Sequence, residues 1–277
     1  MADRVTRFAP SPTGPLHLGH AYAALVAASR GDRFLLRIED IDQSRCKPEW
    51  EAAIQDDLRW LGLTWEQPVL RQSTRLAAYD AALARLTAMG LTYHCTCTRG
   101  DIKAALSAPQ EGSPDPGPDG PVYPGTCRGR ARGSGALRLD MGLAMARLGA
   151  VSFTDTGTQP GLHRFDAAHM TRDIGDVVLA RREIGTSYHI AVVVDDAAQG
   201  ITEVTRGDDL LTATPIHVVL QRLLDLPTPA YHHHRLIRDG AGRRLAKRDD
   251  ARALARYRAE GATPADIRRM VGLHQDG

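Results

Sequence analysis

Short apolar runs alternate with helical apolar stripes along most of this chain, the pattern of an α/β protein. A run ending at Phe8 reads as a first β-strand, and Pro10, Pro12, Gly14 and Pro15 then make a rigid turn. The Ala-rich stretch Ala21 to Ser29 predicts a helix. Asp32 to Asp40 reads as a second strand through Phe34, Leu35, Leu36 and Ile38, with a charged exit at Arg37-Ile38-Glu39-Asp40-Ile41-Asp42. Pro48 to Leu61 predicts a helix, because proline suits a first turn and Trp50, Ile54, Leu58 and Leu61 form one stripe. Ser73 is expected to cap the next helix, with Leu76, Tyr79, Leu83 and Leu86 inward and Gly90 as its stop.

The character changes at Leu91. Thr92-Tyr93-His94-Cys95-Thr96-Cys97 opens a region that closes with Tyr123-Pro124-Gly125-Thr126-Cys127, and Ala108 to Pro121 between them is dense enough in Pro and Gly to be a loop. Past Ala136 the α/β pattern returns. Ile174 to Arg182 reads as a turn and strand, and the near-continuous apolar run within Ser187 to Asp196 is expected as a buried parallel strand. Ile201 to Arg206 leads into Gly207-Asp208-Asp209, and Thr214-Pro215 starts a helix through Ile216, Val219, Leu220 and Leu223. Three consecutive histidines, His232 to His234, cannot all face one ion on a strand. They are expected on a surface strand with imidazoles to either side.

Composition narrows the class. With 277 residues, 43% apolar and 25% charged, the chain has room for one large or two modest domains of globular type. The net charge of +2 is unevenly spread: Tyr231 to Gly277 holds 11 Lys/Arg against 6 Asp/Glu, a local +5 that leaves −3 elsewhere. A basic end suits a phosphate-rich partner, and arginines on a solvated helix face account for it equally well. The start of the sequence has no apolar signal core and no run reaches the roughly 18 apolar residues of a membrane helix, so a cytoplasmic location without a membrane partner is expected. In that compartment the four cysteines are expected to be unpaired, Cys46 as a small inert side chain.

Candidate chemistry collects where strands end. His17 and His20 share the first turn of the predicted helix, whose N-terminus offers unpaired N–H groups and a dipole suited to phosphate. Gly19 between them would let a flat ligand lie close to the backbone. Either histidine alone is an ordinary polar residue at a helix start; the combination with the Pro/Gly turn points to function. Glu39 could hold an ammonium at a strand end, or belong to a solvated loop of acids. Tyr188, Asp195, Arg206 and Asp208 are expected at the same crevice, Arg206 offering a fork for a carboxylate and Tyr188 a hydroxyl. Cys95, Cys97 and Cys127 suggest a tetrahedral zinc site short of one ligand, against a reading as three buried thiols. His94 points away from the face that Cys95 and Cys97 share. The run Arg128-Gly129-Arg130-Ala131-Arg132-Gly133 suits RNA backbone contact or a solubilising loop.

Arg7-Phe8-Ala9-Pro10-Ser11-Pro12-Thr13-Gly14-Pro15-Leu16-His17-Leu18-Gly19-His20 resembles the "HIGH" signature of class I aminoacyl-tRNA synthetases, in the form used by glutamyl enzymes. Arg37-Ile38-Glu39-Asp40-Ile41-Asp42 resembles the family's R-I-E-D-x-D, and the segment from Tyr188 to Asp208 resembles its stretch that recognises glutamate, with Ser187, His189 and Ile190 as departures. Arg243-Arg244-Leu245-Ala246-Lys247-Arg248 falls where the family places Lys-x-Ser-Lys-Ser, with Lys247 matching the second lysine, Arg244 replacing the first and Ala246 losing the hydroxyl. Cys95, Cys97, Tyr123 and Cys127 match the Cys-x-Cys and Tyr-x3-Cys zinc ligands of a branch that modifies tRNA. The tyrosine is an uncommon ligand, since its proton is normally held to about pH 10.

The resemblance implies a Rossmann-like class I catalytic domain in two halves, 1–90 and 166–226, with an inserted zinc-bearing acceptor-type subdomain at 91–165. A stem-contact-like segment carrying the lysine loop follows at 227–277, without an anticodon-binding domain. It further implies ATP with Mg2+ as co-substrate and one structural Zn2+; a monomer is expected. In the family's terms His17, His20 and Lys247 are catalytic. Arg7, Ala9, Ser11, Glu39, Tyr188 and Arg206 would bind L-glutamate, and Pro10, His17, Gly19, His20, Asp208 and Lys247 would bind ATP. The missing helical domain and the Cys/Tyr pattern are those of the branch that transfers glutamate to the queuosine base of tRNA(Asp). The alternatives are a compact synthetase charging a tRNA 3′ end and a zinc-bearing RNA-binding module without catalysis.

Overall fold

A computed structural model of the protein describes residues 3–106, 117–118, 120–130, 133–181, 185–238 and 252–273. β1 (Val5–Phe8) and β2 (Arg33–Ile38) run parallel, from Val5 opposite Arg33 to Phe8 opposite Leu36, joined by α1 (Leu18–Arg30). α2 (Pro48–Trp60) then crosses over to β3 (Glu66–Arg71), parallel to β2. The stripe of α2 is met by the buried Ile54 and Leu58 and by Leu61 just past its end, with Trp50 half-buried. β3 went unforeseen because Glu66-Gln67-Pro68 carries little apolar signal, and the strand is half-exposed along its length.

α3 (Leu76–Ala88) buries Tyr79, Leu83 and Leu86 as expected, whereas Leu76 is 40% exposed. Ser73 does not cap it. Arg75 holds the cap position, and Ser73 lies in a single 3-10 turn where its N–H and its hydroxyl both donate to Asp40, at 2.8 and 2.6 Å. The serine therefore ties the entry of α3 to the exit of β2, a long-range role with no local signature.

β4 (Thr92–Cys95) leads into α4 (Arg99–Leu106), and β5 (Ala136–Leu139) pairs antiparallel with β4 before α5 (Met141–Leu148). β6 (Ala150–Asp155) and β7 (Gly161–Asp166) form a hairpin, followed by α6 (Ala167–His169) and a wide turn over Met170–Ile174. β8 (Val178–Ala180) pairs antiparallel with β5, completing a small sheet in the order β4-β5-β8. α7 (Tyr188–Ala198), β9 (Glu203–Gly207), α8 (Thr214–Leu223) and β10 (Ala230–His234) follow, then α9 (Leu254–Ala259) and α10 (Pro264–Met270). A second sheet runs β7-β6-β10-β9, with β10 parallel to both β6 and β9. The Thr202 N–H donates to the Val5 carbonyl at 3.0 Å and sets β9 beside β1, so the carboxyl ends of β1, β2 and β9 open on one crevice.

Two expectations are corrected here. The run Ser187 to Asp196 is the helix α7 and not a strand. Ser187 takes its cap position, the hydroxyl accepting from the Ile190 N–H at 3.5 Å, and His189, Ile190, Ala191, Val192, Val193, Asp195 and Asp196 are all buried. A helix surrounded by protein loses the amphipathic period and reads like a buried strand. Nor is the histidine strand on the surface. β10 lies inside its sheet, with His233 fully buried and His234 6% exposed, so the polar side chains face other polar groups in the interior.

Leu254, Ile267 and Val271 of the C-terminal helical segment join α1 and α2 in one core, each at most 1% exposed. Such side chains contribute about 1.5–3 kcal/mol each, more than the exposed Arg256–Glu260 and Arg269–Asp266 pairs, whose kind is worth about 0–1 kcal/mol. Among the described residues no helix is long and apolar enough to cross a membrane.

Asp57 is buried on this contact. Burial raises its carboxyl to about 6, partly opposed by Arg258 and reinforced by Asp56. The folded state therefore binds the proton more tightly than the unfolded chain, and the carboxyl favours folding below about pH 4, an advantage lost as pH rises through about 6. Asp57→Asn should raise the melting temperature at pH 7 and lose most of that gain at pH 4. A gain of equal size at both pH values would disprove the assignment.

Candidate active site

The turn after β1 and the start of α1 form one wall of the crevice. His17 is the N-cap of α1, its Nδ1 accepting from the Gly19 N–H at 3.1 Å, while the Nδ1 of His20 accepts from the His17 N–H at 3.2 Å. Backbone N–H groups only donate, so each imidazole carries its proton on Nε2, the nitrogen suited to donate towards an anion. The rings stack at 3.8 Å between centroids. A Cβ on Gly19 would sit 3.0–3.1 Å from the His17 ring, so the glycine is needed first for the capping imidazole. Pro10 is buried, Ala9 half-buried and Ser11 exposed; the Pro10 carbonyl accepts from the Glu39 N–H at 3.0 Å, which fixes the exits of β1 and β2 side by side.

Behind this wall, Asp196 of α7 takes two guanidinium groups. Arg7 Nε donates to its Oδ1 at 2.8 Å and Arg7 Nη2 to its Oδ2 at 3.3 Å, and Arg37 Nη1 donates to Oδ1 at 2.7 Å. Arg7 also reaches the Thr205 carbonyl at 3.1 Å, and Arg37 reaches Gln199 at 3.0 Å and Glu39 at 3.4 Å. Burial works against the Asp196 carboxylate, but Arg7 and Arg37 more than offset it and its pKa falls. For Glu39 burial prevails over Arg37 and Arg7, and its pKa rises. Burial likewise raises the Tyr188 hydroxyl, opposed by Arg206 and reinforced by Glu39.

Arg206 is held differently. Its Nε donates to His233 Nε2 at 3.3 Å, its Nη1 to His217 Nδ1 at 3.0 Å and its Nη2 to the Thr214 hydroxyl. Asp208 is half-buried in the turn that follows β9. Asp195, expected at a strand end, instead lies fully buried in α7, accepting from Tyr79 at 2.7 Å and from Gln72 and Arg75 at 3.1 Å each.

A second constellation lies at the end of β4. The Sγ atoms of Cys95, Cys97 and Cys127 all lie within 4.8 Å of one another, Cys97 and Cys127 at 3.5 Å. The Tyr123 hydroxyl stands 3.2 Å from Cys95 Sγ and 3.4 Å from Cys97 Sγ, and accepts from the Cys127 N–H at 2.9 Å. Bonds of about 2.3 Å to a tetrahedral Zn2+ separate two thiolates by about 3.8 Å, so the four donors fit that ion. Arg138 lies 3.9 Å over the Tyr123 ring, and Arg128, next to Cys127, donates to Asp176 at 2.7 Å. Asp176 also accepts from Tyr93 and from the Met141 N–H, tying the cysteine module to β4 and α5.

Arg7, Glu39 and Arg206 thus come within electrostatic range of Tyr188, while His17, Gly19 and His20 stand at the start of α1, at the end of the turn that leaves β1. Lys247, with the whole loop Arg243 to Arg248, lies outside the described residues, as does Arg132. The residues that sequence reasoning missed are Arg37, Asp196, Thr214, His217 and His233. An acid pair ending an apolar run was the available signal for Asp196; the others had none.

The chain matches a family model described as tRNA synthetases class I (E and Q), catalytic domain, over residues 4–274. It belongs to that family, and is a ligase of the class I synthetase kind. Among its relatives, a "Glutamyl-Q tRNA(Asp) synthetase" of Rhodobacter capsulatus is 63% identical over 97% of this chain and 100% of the relative. Another, of Nocardia farcinica, is 44% identical over 94% and 81%. A solved glutamate tRNA ligase from Elizabethkingia meningosepticum, in complex with its amino acid, superposes with a TM-score of 0.74 at 26% identity. The match covers 98% of this chain, which spans 61% of the length of that ligase.

Asp196→Ala would leave two buried guanidinium groups without their carboxylate, and breaking such a pair costs about 3–5 kcal/mol. Urea unfolding should show a loss of that size. A loss below about 1 kcal/mol would mean that the arginines find other partners.

Proposed function

We propose that this protein activates L-glutamate with ATP and transfers the glutamyl group to the queuosine base of tRNA(Asp). The observation that carries the first half is the convergence of Arg7, Glu39 and Arg206 on Tyr188, in the same fold that sets two histidines at the N-terminus of α1. The names of the full-length relatives support the second half.

An α-carboxylate oxygen of glutamate attacks the α-phosphorus of ATP, the bond to the β-phosphate oxygen breaks, and pyrophosphate leaves; Mg2+ would enter with ATP. A hydroxyl of the modified base then attacks the glutamyl carbonyl and AMP departs. Glu39 is suited to the substrate ammonium, and Arg206 with Tyr188 to its side-chain carboxylate. Arg7, with the backbone at Ala9 and Ser11, would complete the glutamate subsite. Pro10, Gly19 and Asp208 would border the nucleotide. The Nε2–H groups of His17 and His20, at a helix N-terminus, would stabilise charge on the phosphates, together with Lys247. Ala253 pairs with His17 in an antiparallel bridge and the Leu254 N–H donates to the Leu16 carbonyl at 2.8 Å, which keeps the segment following Lys247 on this site. Catalysis in this scheme is positioning plus electrostatics, with no side-chain nucleophile.

Cys95, Cys97, Tyr123 and Cys127 would hold one structural Zn2+, which when bound cross-links the end of β4 to the turn at Tyr123–Cys127. Tyr123→Phe should lower the zinc content measured by elemental analysis of the purified protein; unchanged zinc would assign the fourth position to another donor.

The deciding experiment is transfer of labelled glutamate to tRNA(Asp) with and without queuosine. Label only on the queuosine-containing RNA, surviving removal of the 3′ end, is expected. Equal label on both, lost with the 3′ end, would make the protein a compact synthetase, and no label with ATP still bound would leave a binding module.

A further inference from the structure

Arg206 is 6% exposed and, among the described residues, has no carboxylate within ion-pair distance. That sets it apart from Arg7 and Arg37, whose charges Asp196 meets. All three of its hydrogen bonds go to neutral acceptors: the imidazoles of His217 and His233 and the hydroxyl of Thr214. Burying a cation without a counter-charge is costly, and three preorganised acceptors only partly offset that cost.

The direction of each bond follows from the guanidinium, which only donates. His217 Nδ1 must accept, so its proton sits on Nε2 and points to His189 Nδ1 at 3.0 Å. His233 Nε2 must accept, so its proton sits on Nδ1 and points to Asp155 Oδ1 at 2.9 Å. Asp155 is itself pinned by the backbone N–H groups of His233, Gly157 and Gln159. Burial, with the Arg206 charge next, keeps His217 well below its ordinary value and brings His233 down to about 4. Both therefore stay neutral near pH 7. Of the five guanidinium N–H groups three are used, leaving one on Nη1 and one on Nη2, the pair a carboxylate can take in bidentate fashion. The Tyr188 ring packs against His189 and His217, at 5.8 and 5.5 Å between centroids, so His217 touches both groups of the side-chain subsite.

We infer that His217 and His233, with Thr214, are positioning residues that hold Arg206 charged and without a protein carboxylate, reserving it for the anionic side chain of the substrate. An Asp or Glu in their place would neutralise the guanidinium and compete with the ligand. This rests on glutamate being the substrate, and its consequence is discrimination against the uncharged amide, glutamine.

His217→Leu removes the acceptor at Nδ1, whereas His217→Asn can present an amide oxygen in its place. In ATP–pyrophosphate exchange with tRNA(Asp) present, the Leu variant should raise the glutamate KM by about 10–100-fold, the worth of one hydrogen bond to a charged group. Its kcat and its KM for ATP should move far less. The Asn variant should recover most of the loss, and weak exchange with glutamine should not fall in parallel, so the preference for glutamate shrinks. Thr214→Val, of nearly the same shape, gives the same reading if His217→Leu does not fold. A glutamate KM unmoved in a folded Leu or Val variant, or an Asn variant as impaired as the Leu one, would overturn the inference. Absence of any glutamate-dependent exchange by the unaltered protein would instead overturn the substrate reading, and this inference with it.

Discussion

The position of Asp196 governs the rest. One carboxylate on α7 meets Arg7 from β1 and Arg37 from β2, so a helix and two strands are registered on a single charged contact in the interior. The net worth of a buried ion cluster is small when compared with apolar side chains of similar volume. The apolar core holds the elements together, and the triad decides where they stop sliding. Glu39 follows Arg37, Tyr188 begins the helix that carries Asp196, and Arg7 precedes the turn that leads to His17. Moving Asp196 would move every wall of the crevice.

The crevice uses two ways of holding arginine. Arg7 and Arg37 are neutralised and fixed, which suits a frame. Arg206 is fixed by groups that leave its charge standing, which suits recognition. The difference lies in the acceptors: a carboxylate settles both geometry and charge, whereas a neutral imidazole settles geometry alone. Histidines kept neutral by burial and by Arg206 itself are well suited to that second task. Their burial on β10 and α8, which the sequence pattern did not announce, has a physical reason in this role.

Legibility from the sequence followed the locality of the interactions. The turn Pro10 to Pro15, the histidines of α1, the stripe of α2 and the β9-to-α8 passage depend on neighbours a few residues apart, and their patterns were readable. Cys95, Cys97 and Cys127 were readable as a group because their spacing is local within each arm, whereas Tyr123 came only from the resemblance to the family. Where an interaction spans the chain, the pattern misled. Ser73 reads as a cap and is a tether to Asp40. The run after Ser187 reads as a strand because its surroundings bury every face of a helix. His233 and His234 alternate as a strand should, yet alternation cannot say which side is wet when both sides are covered. Arg37 and Asp196 lie 159 residues apart, beyond the reach of any periodicity.

Gly19 shows how one residue can answer two demands. Its lack of a side chain clears space for the His17 ring that caps α1, and the same bareness leaves the helix N-terminus open. An alanine there would press on the imidazole and tilt it from the N–H it accepts. The antiparallel bridge from His17 to Ala253 adds a third constraint on this turn, since the chain returning from the lysine-bearing stretch is stitched to the same backbone.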